Sequence, residues 1–443
     1  MPRLPCRAAR VLIVVAGLAM TQGCAGGTPS SSNDPPVTPV GEDDAGPSEA
    51  GASTQEAAAY PAVAPSMPAV ENAGGTVLSA PRIVPVFFPG ETQAAMLTDA
   101  IGKYVVSAEW RAATAQYGVG GTTAADPVLS TDALPSSITT GDLGTWLAGH
   151  LDGTHPGWGP TDEGTLASSI FVLYPPAGVA IYAPEEDPSD PMAVTLCGPR
   201  VWDIEGWHWQ TTPGRYSRPG SNPPIAYALV GACSYDGVAL ADRMTSTTTH
   251  ELAEAATDPR FVTSPAYASV DQAHAFWMEL TGGGEIGDLC EGNLVTPPDV
   301  GYAVQRLWSN AASAAGHDPC VPAVTPAYFN VAADAPDALF DPYVGVTVKG
   351  VAIPAKQSRT IDVHLISDGP TDAWQVTAVD PNAAQGGAPL LKMTFDRDVG
   401  ANGDVLRLTI EPLFDAPGVT ALYEIDSKLH EVTQRWYGEI VVQ

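Results

Sequence analysis

The residues of this chain best suited to chemistry are His250, Glu251 and Glu254, in the run His-Glu-Leu-Ala-Glu within residues 247–259. On a helix, positions four apart share a face, so His250 and Glu254 present an imidazole and a carboxylate to one divalent cation. Glu251 then stands beside that cation, placed to take a proton from a water molecule. A catalytic cation needs a third protein ligand as well as an open position. Glu285 and Asp288, in the stretch Glu-Ile-Gly-Asp-Leu-Cys at 285–290, are the candidates, and their competing role is to hold their own loop by bonding backbone amides. Asp258 is a poorer choice, because eight residues of helix rise about 12 Å. His208, between Trp207 and Trp209, is either a further ligand, a cleft residue or a donor to a tetrahedral intermediate. A structural calcium ion on Glu285, Asp288 and Glu291 is a separate option, since calcium takes several oxygen ligands.

The elements that must position these groups are legible in part. The Thr-rich stretch before His250 has weak helix propensity, so the helix depends on Leu252, Ala253, Ala255 and Ala256 and on burial. Asp258-Pro259 ends it, because the residue before a proline is pushed out of the helical region. Residues 83–88, 166–174 and 225–230 are apolar runs that read as strands. Residues 91–106 are amphipathic, and Ser107 is an N-cap for a helix continuing to Gln116 and Tyr117. Beyond Cys320 the pattern changes to short β-type runs at 346–348, 360–366, 374–379, 405–410 and 437–442. Strand runs at that spacing, with no clear helical stretch, predict an all-β, immunoglobulin-like sandwich.

Arg3, Arg7 and Arg10, an apolar run from Val11 to Met20 and then Thr-Gln-Gly-Cys ending at Cys24 have the layout of a secretory signal. Gly23 before Cys24 indicates a lipoprotein-type signal with lipidation at Cys24; cleavage after Ala25 is the alternative. Either route exports the protein, and the lipoprotein form implies outer-membrane anchoring, with membrane contact only through that lipid. Cys197, Cys233, Cys290 and Cys320 remain, an even number in an oxidising compartment. Of their three possible connectivities, the sequence-near one, Cys197 with Cys233 and Cys290 with Cys320, is expected. A four-Cys zinc site is disfavoured by the absence of C-x2-C spacing. With 20 Lys and Arg against 50 Asp and Glu, the net charge of −30 excludes a nucleic-acid partner.

The order of pieces resembles the EXORDIUM-like (phosphate-induced protein) family. The matching residues are Pro-Val-Phe-Phe-Pro-Gly at 85–90, the 107–118 segment with Trp110 and Tyr117, and Thr-Gly-Asp-Leu at 140–143. They continue with the 250–259 motif, residues 285–292, and Val-Gln-Arg-Leu-Trp at 304–308 before Cys320. Plant members of that family lack the His, whereas bacterial relatives keep a His-Glu-x-x-Glu form and look like divergent zincins. The resemblance implies an α+β zincin-like mixed domain at 79–323. It is preceded by a signal at 1–23 and a disordered tether at 24–78, and followed by the β-sandwich at 324–443. It further implies a zinc-dependent peptidase with Glu251 as general base and ligands from His250, Glu254 and Glu285 or Asp288. The alternative is a non-catalytic surface protein that binds a cell-surface polymer or another protein and keeps the motif as scaffold.

Overall fold

The computed structural model describes residues 59–155, 157–158, 162–183, 193–198, 204–212, 224–234, 237–324 and 327–443. The leader and Cys24 lie outside the described residues. The first half is built on strands β1 (Arg82–Phe87), β2 (Ser169–Tyr174), β3 (Gly206–Thr211) and β4 (Ile225–Val230). In space β2 stands between β1 and β4, with β1, β2 and β4 parallel. β3 closes the sheet antiparallel to β4, with His208 opposite Ala228. Strands β2 and β4 are buried along their whole length, which explains their unbroken apolar runs. Pro85 falls in the gap between the two short partners of β1, Thr123–Ala124 and Val128–Leu129, so its missing N–H breaks no ladder there.

Helices cover both faces, as parallel strands require. α1 (Ala94–Tyr104), α2 (Ala108–Thr114) and the motif helix α4 (Leu240–Thr257) share a core with Ile83, Ile170, Val172, Ala226 and Ala228. Leu143 and Leu147 of α3 (Thr140–His150) pack on the opposite face, against Phe171, Leu173 and Tyr227. Ser107 caps α2 by accepting from Trp110 N at 3.1 Å, as expected. Leu166 belongs to a short helix, Glu163–Ala167, rather than to the strand that follows.

The second half pairs a four-stranded sheet with a six-stranded one. Their inner faces share a core, with the Phe329 and Trp374 rings 5.5 Å apart. All five expected β runs lie in strands, and the only helix among the described residues there is a single turn, Pro381–Ala384. The chain is therefore a mixed α/β half followed by an all-β half. Tyr60 to Gln443 nevertheless form one compact unit, and the change of architecture near Val324 is not a separation. Trp277 packs edge-on against Trp436 and Tyr437, and Gln272 Nε2 donates to Thr347 O at 3.0 Å.

The tether expected to run to residue 78 is shorter. Val70 is buried and pairs with Val270, Ala69 N donates to Asp271, and Leu78 N donates to Ala256 O. A segment whose amides and apolar side chains have fixed partners belongs to the fold. Both expected disulfides are present, Cys197–Cys233 and Cys290–Cys320, and they fit an oxidising compartment. Among the described residues no helix is long and apolar enough to cross a membrane.

Two buried carboxyls, Asp341 and Glu439, meet the half-buried Glu279 at the seam between the halves. Glu439 is pushed up to about 8 by burial and Asp341, and Glu279 to about 9 by burial, Asp341 and Glu439. Both are therefore neutral in the fold at pH values where the unfolded chain ionises them from 4.5 upward. Their contribution to stability is complete below that value and is lost as pH rises toward 8 to 9. Urea denaturation midpoints should fall across this window, and Glu439→Gln should flatten the dependence. An equally steep fall in the variant would contradict the assignment.

Candidate metal centre

α4 is where a weak helix former is made to fold by its surroundings. Thr248 Oγ1 donates back to Met244 O, Thr249 Oγ1 to Ser246 O and Thr257 Oγ1 to Ala253 O, so the buried hydroxyls are satisfied within the helix. Tyr174 of β2 hydrogen-bonds Thr248 at 2.9 Å and fixes the helix on the sheet. Asp258 leaves helical geometry just before Pro259 and accepts from Ala266 N at 2.9 Å, which makes it a turn former.

Strand alternation sets His208. Trp207 and Trp209 turn toward the α3 side, leaving His208 to face α4. Arg243 of α4 pairs with Glu205, which holds the start of β3 against the helix. Gly206 permits the approach: a Cβ there would lie 2.3 Å from Glu251 Oε1. The 285–290 loop closes from the other side, tied by the Cys290–Cys320 disulfide and by Trp308 N donating to Ile286 O.

Glu254 is the meeting point. Its Oε1 lies 3.1 Å from His250 Nε2 and accepts from Gly287 N at 3.1 Å and Asp288 N at 3.3 Å. Its Oε2 lies 3.3 Å from His208 Nδ1. Asp288 Oδ1 is 3.6 Å from His250 Nε2, Glu251 Oε2 is 3.6 Å from His208 Nδ1, and Glu285 Oε2 is 3.5 Å from His208 Nε2. His208, His250, Glu251, Glu254, Glu285 and Asp288 thus converge. Asp288 also fills its competing role, since its Oδ2 accepts from Glu285 N at 2.9 Å. Glu291 is exposed and outside the two donor groups, so the calcium trio of Glu285, Asp288 and Glu291 is not assembled.

Gln305 lies in the 304–308 stretch of the resemblance, which assigns it no role at the site. It stands in the short strand Val304–Gln305, with Oε1 3.2 Å from His250 Nδ1 and Nε2 donating to Gly287 O at 2.7 Å. Because the amide nitrogen is committed to Gly287, Oε1 must accept from His250 Nδ1–H. In the neutral ring that leaves the Nε2 lone pair on the side of Glu254 and Asp288, the arrangement by which an outer hydrogen bond fixes a metal-ligating imidazole. No local pattern marks such a residue; only the fold brings it there.

Burial opposes the charge on Glu254, yet His250 and His208 hold its carboxyl well below the usual range. Burial raises Glu251, and together with Glu254 it pushes Asp288 up to about 8. Glu285 is raised well above its ordinary value by burial, with His208 opposing and Glu254, Asp258 and Asp288 adding. Burial would lower both imidazoles, but the carboxylates outweigh it and raise them. Among the described residues no Lys or Arg pairs with these four acids. Unpaired buried carboxylates cost several kcal/mol each, so protons or a cation must balance them.

The donors fit a cation. Four bonds of about 2.1 Å in a tetrahedron put neighbouring donors about 3.4 Å apart. The separations of 3.1 to 3.6 Å found here bracket that value. His208 Nε2 and Glu285 Oε1 are buried without a hydrogen-bond partner, as donors awaiting a cation would be. Two overlapping groups can hold one: His250, Glu254 and Asp288, or His208, Glu254 and Glu285.

No family model matches the chain, and no curated protein matches it. Among solved structures it is similar to a chimeric titin Z1Z2 carrying an exogenous decorin peptide, at 12% identity and TM-score 0.15. That match covers 21% of this chain and 85% of the other. The titin M3 domain matches at 11% identity and the same TM-score, over 21% of this chain and 88% of the domain.

If Gln305 orients His250, Gln305→Ala should weaken zinc binding about 10–100-fold without changing the fold. Chelator competition with circular dichroism as control reads this out, and unchanged affinity would contradict the orienting role.

Proposed function

We propose that the chain is an exported metal-dependent peptidase of zincin-like type. The observation that carries this reading is the set of donors 3.1 to 3.6 Å apart around His250 and Glu254, with His250 held by Gln305. Residues His250, Glu254 and Asp288 would hold the ion. Zinc bound there would supply Lewis acidity and lower the pKa of water. Glu251, one residue along α4 from His250, is the proton acceptor, fixed between His208 and the backbone of Gly206. His208 stands on the last strand of the sheet, with Nδ1 facing Glu251 and Glu254, and positions both carboxylates.

A peptide is the substrate class that the strand favours. β3 is the last named strand of its sheet among the described residues, a position at which an extended chain could add through backbone hydrogen bonds. Such a chain would run past His208. The leader ending at Cys24, with the disulfides, supports an exported protein, held at the outer membrane by a lipid on Cys24 or released.

His250→Ala should lower the zinc content of the purified protein. Glu251→Gln should keep its zinc while casein hydrolysis falls about 10²- to 10⁴-fold. Equal zinc in parent and His250→Ala would overturn the reading, undiminished hydrolysis in Glu251→Gln would remove Glu251 as the base, and no hydrolysis by the parent would favour a scaffold role in surface binding.

A further inference from the structure

The peptidase reading uses one of two donor groups that meet at Glu254; the other is equally closed and is left unused. His208, Glu254 and Glu285 offer donor atoms within 4.8 Å of one another. The three residues are 8%, 3% and 7% exposed. His208 Nε2 and Glu285 Oε1 lack any hydrogen-bond partner, although Glu285 Oε2 lies only 3.5 Å from that nitrogen. An orphaned imidazole nitrogen and an orphaned carboxylate oxygen in one buried group are a costly arrangement for a part that only packs.

Glu254 divides its two oxygens between the groups. Oε1 faces His250 Nε2 and the amides of Gly287 and Asp288, while Oε2 faces His208 Nδ1. Asp288 and Glu285 then do not compete for one third-ligand place. Each stands on its own side, beside its own imidazole.

We propose that this is a two-cation centre bridged by Glu254, one cation shared with His250 and Asp288 and the second with His208 and Glu285. The inference rests on the metal-centre reading above and extends it. Mixed imidazole and carboxylate donors suit zinc, cobalt or manganese. Paired ions of hydrolytic centres stand about 3.5–4 Å apart, the spacing at which they stabilise the attacking and the leaving oxygen together.

The test uses the full chain, stripped with chelator and reloaded with zinc for stoichiometry or manganese for electron paramagnetic resonance. Two zinc ions per chain are expected, falling to one in Glu285→Gln, in His208→Asn and in Asp288→Asn. The manganese form of the unaltered protein should give an exchange-coupled spectrum, a readout that depends on no variant folding. One ion per chain, unaffected by Glu285→Gln, overturns the second site and leaves the single-ion reading standing. No bound ion overturns both. Two ions with uncoupled manganese spectra, both kept in Glu285→Gln, place the second ion elsewhere and overturn the bridge.

Discussion

The mixed α/β half of the molecule is organised around the charge on Glu254. Its carboxylate is buried, is held ionised by two imidazoles, and accepts two backbone amides from the loop that follows. Through these contacts one side chain joins three elements distant in sequence: the motif helix, the last strand of the sheet through His208, and the 285–290 loop. Removing its charge would leave two buried backbone donors without their acceptor and both histidines without their nearest carboxylate, a loss of the kind that costs several kcal/mol. Packing around the site therefore serves an electrostatic arrangement.

The sheet makes this arrangement possible by ending where it does. β3 runs antiparallel to its neighbour, and its alternation sends two tryptophans to one face and His208 to the other. Glycines at 206 and 287 let backbone come within contact of Glu251, Glu254 and His250; a Cβ at Gly287 would lie 2.6 Å from Glu254 Oε1. Tight approach of this kind keeps donor atoms at fixed separations, which is what selective cation binding needs. The β-rich half supports the same unit from behind, through Trp277 lodged against Trp436 and Tyr437.

Much of this was legible in the residues. The spacing of His250 and Glu254 predicts a shared helical face, and the apolar runs of β1, β2 and β4 predict buried strands. Parity of cysteines and nearness in sequence predict the disulfide pairing. Other parts had no local signal. Gln305 is an ordinary polar residue until the Val304–Gln305 strand carries it to His250. The tether was over-extended because residues 59–78 are rich in Pro, Ala and Gly; their order comes from long-range partners such as Val270 and Asn310. The zincin-like assignment rests on a resemblance of motifs, and the geometry bears on the site rather than on ancestry.

Diffraction from crystals grown with zinc, with anomalous data collected at the zinc edge, addresses the central claim most directly. The account predicts an anomalous peak about 2.0–2.2 Å from His250 Nε2, Glu254 Oε1 and Asp288 Oδ1, with Gln305 still bonded to His250 Nδ1. A map with no peak there, in which the ring nitrogens of His208 and His250 hydrogen-bond directly to the surrounding carboxylates, would contradict it.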